Sequence, residues 1–235
     1  MSESLSRRGF VGSAGAAMAA GLAAGAAAAE EAVAARGVRI VGVACSLRKG
    51  KTTAAAVQAC LDAAKAVDPR VEVELVDIAD LSIPVGSLVG KPLAEGQADD
   101  FPAIAGKLAD PRVGGIIIGT PVYFGSMTSL CKAFLERFMH FRKNDFALGG
   151  KVGGVLAVGG ARTGGGHERT IACIQAALMS QDMIVVGDGK PTAHTGAALW
   201  NHWKDDIAQD EDGMKTAINL GRNVAALALK LASAK

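Results

Sequence analysis

The chain has 235 residues, half of them hydrophobic but only 4% aromatic, and a formal net charge of +2. So nearly neutral a surface argues against nucleic acid as the main partner. The four cysteines, Cys45, Cys60, Cys131 and Cys173, form no C-x-x-C pair and have no histidine at ligand spacing, which argues against a zinc or iron–sulfur site.

The chain opens with SRRGF at 6–10 and an Ala- and Gly-rich run, 11–29, whose larger apolar side chains are Val11, Met18 and Leu22. Arg7-Arg8, a weakly apolar stretch and Ala-x-Ala options near 27–29 match a twin-arginine export signal, with cleavage expected near 29–35. The alternative is a membrane anchor, but a run this rich in Ala and Gly has little transfer free energy behind it. The segment carries Arg7, Arg8 and Glu3, so setting it aside removes a net +1 and leaves +1 on the remaining chain, in which one domain is expected over 36–235. The expected location is the periplasm or another exported compartment, and no other stretch is long and apolar enough to span a bilayer.

Residues 38–53, VRIVGVACSLRKGKTT, pass from an apolar run through a short polar loop into a helix start. The run is too continuous to alternate and fits a strand buried on both faces of a parallel sheet. The loop brings Ser46, Arg48, Lys49, Lys51, Thr52 and Thr53. Hydroxyls, cations and the unpaired N–H groups of a helix's first turn together suit a phosphate ester. CSLRKGKT at 45–52 also misses the P-loop pattern G-x-x-x-x-G-K-[ST] by its first glycine alone, which makes a nucleotide triphosphatase the alternative. That enzyme needs an aspartate at the end of a buried strand for Mg²⁺. The most apolar later strand, GGIIIGT at 114–120, ends without one, and Asp77 closes a strand that alternates as a partly exposed one does.

Beyond the cradle, Val57, Leu61, Ala64 and Val67 recur at helical spacing over 54–67, and Asp68-Pro69 stops the helix. A second strand covers 71–76. The stretch 77–98 holds Pro84, Pro92, Gly86, Gly90 and Gly96, has no regular assignment, and reads as a cover or a partner contact. A helix over 99–110 ends at Pro111, and a third strand, 113–119, delivers TPVYFGSMT to its carboxyl end. Leu130, Phe134, Leu135 and Phe138 mark one helix over 126–141. A fourth strand, 152–158, runs into GGARTGGGHE, followed by a helix over 168–179 and a short fifth strand over 183–186. A last helix, 212–232, has Asp210, Glu211 and Asp212 at its positive start. Cys60, Cys131 and Cys173 fall on helix faces beside apolar neighbours and are expected as buried thiols. Strands separated by helices predict a doubly wound α/β parallel sheet with the loops 45–53, 120–127 and 159–168 on its ligand-binding edge.

Together the three loops resemble those of the flavodoxin-like superfamily, in particular the NAD(P)H-dependent FMN reductases with their multimeric quinone-reductase and iron–sulfur flavoprotein relatives. The first follows that family's G-S-x-R-x-x-[GS]-N-T through Ser46, Arg48 and Thr53, with Cys45 at the usual glycine and Thr52 at the usual asparagine. GTPVYFGS at 119–126, followed by Lys132, Phe134, Leu135, Glu136 and Arg137, is close to the family's G-T-P-V-Y-[FW]-G-S and K-x-F-[LI]-[DE]-R. The third loop resembles G-G-x-R-x-G-G-Q-E with His167 in place of Gln, and DEDGMKTAINLG at 210–221 resembles the family's last helix. The iron–sulfur branch is not expected, because its defining cysteine cluster is missing.

The resemblance implies a five-stranded flavodoxin-like sheet of order 2-1-3-4-5 with FMN as cofactor. It implies phosphate ligands at Ser46, Arg48, Thr52 and Thr53, and a flavin cupped by Pro121, Val122, Tyr123, Phe124 and Gly125. Gly160, Ala161, Arg162 and Gly165 complete the implied site. On the residues alone, Tyr123 and Phe124 read equally as core aromatics and Arg162 as a surface cation; three such loops on one edge favour the ligand reading. His167 reads first as a surface filler beside a glycine run and second as a group touching flavin or substrate. No covalent nucleophile and no metal are expected.

Two functional readings follow. One is an FMN-dependent oxidoreductase passing hydride or electrons from NAD(P)H or another donor to quinone-like or other small acceptors. The other is an exported flavodoxin-like electron carrier docked to a redox protein partner. Relatives are commonly dimers or tetramers, which implies a homo-oligomer, with 77–98 and 193–204 as contact segments.

Overall fold

A computed structural model describes residues 37–234, so the export signal read at 1–29 lies outside the described residues. In chain order the elements are β1 (Val38–Ala44), α1 (Thr52–Lys65), β2 (Val71–Asp77), α2 (Phe101–Ala109), β3 (Val113–Tyr123), β4 (Ser126–Met127), α3 (Ser129–Glu136), α4 (Met139–Lys143), β5 (Val152–Gly159), α5 (His167–Met179), β6 (Ile184–Val185), β7 (Ala197–Trp200) and α6 (Glu211–Ala232).

Five strands run parallel in the order β2-β1-β3-β5-β6, the doubly wound arrangement expected. β1 and β5 are buried almost throughout, as continuous apolar runs between two helical layers must be. β2 is the edge, where exposed Glu72 meets Arg39 of β1 at 2.8 Å and charge blunts the open strand. The register sets Ala44 beside both Asp77 and Gly119, and Gly119 beside Leu156, so the loops leaving β1, β3 and β5 start level on one edge.

Two apolar layers flank the sheet. α2, α3, α4 and α5 cover one face, where Phe101, Phe134, Phe138 and Phe141 are fully buried and meet at centroid distances of 5.0–6.0 Å. Each such ring contributes about 1.5–3 kcal/mol by leaving water. On the other face α1 and α6 lie against the sheet and each other. They meet where Gly221 of α6 faces the Cys60 carbonyl of α1, an approach that leaves no room for a Cβ.

Several elements differ from expectation. The single helix over 126–141 is a short strand and two helices: Ser126 and Met127 turn back onto Tyr123 and Val122, and Thr128 caps α3 by accepting the Cys131 N–H. The break between α3 and α4 falls at Arg137, whose guanidinium forks onto Asp99 at 2.8 and 3.0 Å and also reaches the Pro84 carbonyl. β7 was not foreseen; it pairs in parallel with the second half of β5, beyond the two-residue β6 that pairs with the first half. Segment 193–204 thus contains this strand and the start of the turn after it. Cys45, Cys60 and Cys131 are buried, but Cys173 is exposed, because the buried stripe of α5 runs through Ile171, Ile174 and Leu178 and leaves Cys173 outside it.

Candidate functional site

The carboxyl edge of the sheet opens into a cleft of about 640 Å³, within the ~300–1,000 Å³ range of small-molecule sites. Its first wall is the loop 45–51. Buried Ser46 accepts the Arg48 N–H on Oγ at 3.1 Å. Gly50, left-handed at φ 65°, donates its N–H to Asp77 Oδ2 at 2.8 Å, and Lys49 reaches Asp80 at 2.6 Å. Asp77 also accepts the Ala79 N–H, so the carboxylate a P-loop would turn to Mg²⁺ is engaged with backbone. α1 starts with no side-chain cap and no acidic residue in its first turn, which leaves its positive end to an outside anion. Arg48 and Thr52 line the cleft, whereas Ser46 and Thr53 stand behind them, buried in the loop and in the first helical turn.

Pro121, Val122, Tyr123, Phe124 and Gly125 form the second wall. Phe124 and Gly125 both have positive φ, 51° and 70°, the sense of a type I′ hairpin turn. A phenylalanine in that conformation costs on the order of 1–3 kcal/mol, and its ring is fully exposed, with Tyr123 half exposed beside it. The walls are joined to each other. Thr128 Oγ1 donates to the Cys45 carbonyl at 2.9 Å while accepting from α3, and Arg169 Nε donates to the Gly125 carbonyl at 3.0 Å.

Gly160, Ala161 and Gly165 belong to the third wall, together with His167 and a turn that follows β7. That turn is firmly tied. Asn201 donates its N–H to the Gly159 carbonyl at 3.0 Å, Trp200 Nε1 donates to the Gly160 carbonyl at 2.6 Å, and the Trp203 ring lies over Gly160. It brings Asn201, Trp203, Lys204 and Asp205 to the cleft, none of which the sequence reading placed there. The Asp205 carboxylate pairs with Arg48 and lies 3.6 Å from Lys51 Nζ. The hydrogen bond from Arg48 is the main reason its carboxyl is held below the usual carboxylate range.

Arg162 points elsewhere. Its guanidinium pairs with buried Asp210, which also accepts the Trp200 N–H at 2.6 Å and caps α6 through the Gly213 N–H at 3.1 Å. The structure thus brings ten of the thirteen expected residues to the cleft and leaves Ser46, Thr53 and Arg162 outside it.

His167 is buried and lines the cleft. Its Nε2–H donates to the Leu199 carbonyl at 3.1 Å, which makes Nδ1 the unprotonated nitrogen. Burial is the main cause of a pKa below the ordinary 6.5. The unfolded chain therefore takes up a proton that the folded imidazole refuses, so stability is full above the ordinary imidazole pKa and falls as pH drops through it. Urea unfolding of the parent and of His167→Gln at about pH 7.5 and about pH 5.5 should show a smaller acid loss in the variant; equal losses would overturn the assignment.

A model of the NADPH-dependent FMN reductase family matches residues 38–198, which include all three walls except the turn after β7. The chain belongs to this family. It is 36% identical over 193 residues to an iron–sulfur flavoprotein of Methanocaldococcus jannaschii, covering 80% of this chain and 96% of the relative. A shorter stretch of 85 residues is 44% identical to an NAD(P)H dehydrogenase (quinone) of Paracoccus denitrificans, 36% of this chain and 39% of that one. The fold is that of a solved flavodoxin, a WrbA-like protein of Agrobacterium tumefaciens, with TM-score 0.57 and 16% identity over 83% of this chain and 98% of that chain. The similarity thus reaches into the branch that the missing cysteine cluster had set aside. Among the described residues no three His, Cys, Asp or Glu side chains gather as a metal site.

Proposed function

We propose that this FMN reductase family member moves hydride or electrons from NAD(P)H or another reductant to small quinone-like acceptors. One observation carries the reading: a single cleft joins a phosphate cradle to an apolar slot whose rim is aromatic and open. The cradle has Arg48, Lys51 and an uncapped helix start, matched to a phosphate ester. The slot has Pro121, Val122 and Tyr123, and the glycines of the third wall let backbone donors and acceptors come close to a ring edge. These residues fit FMN, which when bound supplies the hydride and electron chemistry.

The chain's own part is to bind, orient and shield. Arg48, Lys51 and α1 would hold the phosphate end of the cofactor and the hairpin and third wall its ring, and the exposed Phe124 and Trp203 rings offer planar apolar surfaces at the mouth. Flat aromatic acceptors suit such a rim. The similarity to an enzyme named for quinone reduction supports that class.

The protein purified from cells should be yellow, release FMN identifiable by mass, and turn over a quinone with NADH or NADPH. A flavin-loaded protein inactive with both donors and every quinone would instead support an electron carrier with a protein partner. A colourless protein with magnesium-dependent ATPase activity would overturn the flavin reading altogether.

A further inference from the structure

The third wall of the cleft holds a side chain whose hydrogen-bonding capacity is only half used. His167 begins α5, and its ring is wedged between two glycines: a Cβ at Gly159 would come within 2.7 Å of Cε1 and Nε2, and one at Gly165 within 3.0 Å of Cε1 and Nδ1. Its Nε2–H is fixed on the Leu199 carbonyl of β7 at 3.1 Å, a bond that a flipped ring would lose. The residue is 3% exposed. On the other side of the ring Nδ1 has no hydrogen-bond partner among the described residues, yet it is not sealed away as the unpartnered Thr170 Oγ1 is, three positions on. His167 lines the cleft, so this open lone pair belongs to it.

We propose that His167 is a cofactor-positioning residue, its Nδ1 a fixed acceptor for the imide N–H of the isoalloxazine ring. The inference rests on the reading of the cleft as an FMN site. Arg48 and the start of α1 suit the phosphate, so the ring end of the ligand falls to the hairpin and the third wall, where His167 stands. Along its polar edge the oxidised ring presents acceptors, its carbonyl oxygens and bare ring nitrogens, and a single donor, the imide N–H. A lone pair on the protein can meet only that donor. The imidazole must stay neutral to do so, and burial of the ring keeps the second proton off near pH 7. The flanking glycines and the Leu199 carbonyl have already set the position of Nδ1, so little freedom is lost when the bond forms. Ribityl hydroxyls are donors too, and the test separates them from the imide.

The probe is 3-methyl-FMN, in which a methyl group replaces the imide proton while the ribityl chain and phosphate are unchanged. The flavin-free parent should bind FMN about ten-fold more tightly than 3-methyl-FMN, the effect of one neutral hydrogen bond lost with its acceptor left unpaired. In His167→Leu, or in His167→Phe should the leucine variant not fold, that ratio should fall to within about two-fold, because FMN loses the bond and the methylated flavin had none to lose. His167→Gln should keep most of the ratio, since a carboxamide oxygen also accepts. Fluorescence titration of these proteins with both flavins reads the ratios. A parent that binds both flavins alike, or a ratio that persists in the leucine or phenylalanine variant, would overturn the assignment; in the second case an equal loss of both flavins would mark a bond to a ribityl hydroxyl or a mere support of the wall. A parent that binds neither flavin would overturn the FMN reading itself, a result distinct from either.

Discussion

Arg48→Ala is expected to weaken FMN binding by about one to two powers of ten while leaving riboflavin affinity nearly unchanged. Arg48 brings to the first loop a guanidinium with five N–H donors in a fixed fork, and its backbone is fixed by Ser46 Oγ, so the side chain starts from a set position. Charge-assisted hydrogen bonds to a phosphate contribute roughly 1.5–3 kcal/mol each when partly shielded, and about 1.4 kcal/mol is a factor of ten. The structure adds a second loss. Removing Arg48 leaves Asp205 facing Lys51 alone, which takes the cradle from a net single positive charge to none. Titration by flavin fluorescence quenching on both proteins is the check. Equal losses for FMN and riboflavin would mean that Arg48 serves the shape of the loop and not the phosphate.

The largest effect on stability is expected at the crossing of α1 and α6. Alanine ordinarily improves a helix over glycine by about 1 kcal/mol, yet Gly221→Ala should destabilise the fold by about 2 kcal/mol net. A Cβ at Gly221 would overlap the carbonyl oxygen, carbonyl carbon and Cα of Cys60, all backbone atoms of a buried residue held in α1 that cannot rotate aside. Overpacking costs about 1–3 kcal/mol where side chains can adjust, and more where they cannot. Gly106 provides the control, since it sits in α2 with open space where its Cβ would be. Gly106→Ala should stabilise by up to about 1 kcal/mol. Urea unfolding of both variants reads the two signs in one experiment, and a stabilised Gly221→Ala would show that the helices separate at little cost.

How much of this was legible in the sequence depended on how local the cause was. β1, β3 and β5 announced themselves because strands buried on two faces must be apolar without a break, and the Cys45–Thr53 cradle followed from cations and hydroxyls at a strand end. The Phe124-Gly125 turn lies in the expected loop 120–127, but the strand that returns from it, Ser126-Met127, reads as the start of a helix because apolar residues at helical spacing follow it, and a left-handed phenylalanine leaves no mark in composition. β7 is four residues, AALW, too short for any period to show. The direction of Arg162 was set by a buried carboxylate 48 positions away, and that of Asp205 by Arg48 at still longer range. Charge pairs of this kind are created by topology, and a pass along the chain sees each partner only as a surface residue. Cys173 could have been placed correctly, since Ile171, Ile174 and Leu178 already define the inward stripe of α5.

The separation of Arg48 from Asp205 also has a meaning in time. A ribosome adding roughly 5–20 residues per second needs about 8–30 s to travel the 157 positions between them. For that interval the nascent chain carries its two cradle cations with no partner anion, and the clamp on Gly159 and Gly160 does not yet exist. The cleft is therefore among the last parts of this protein to be finished, completed by a turn that is made after every strand of the sheet.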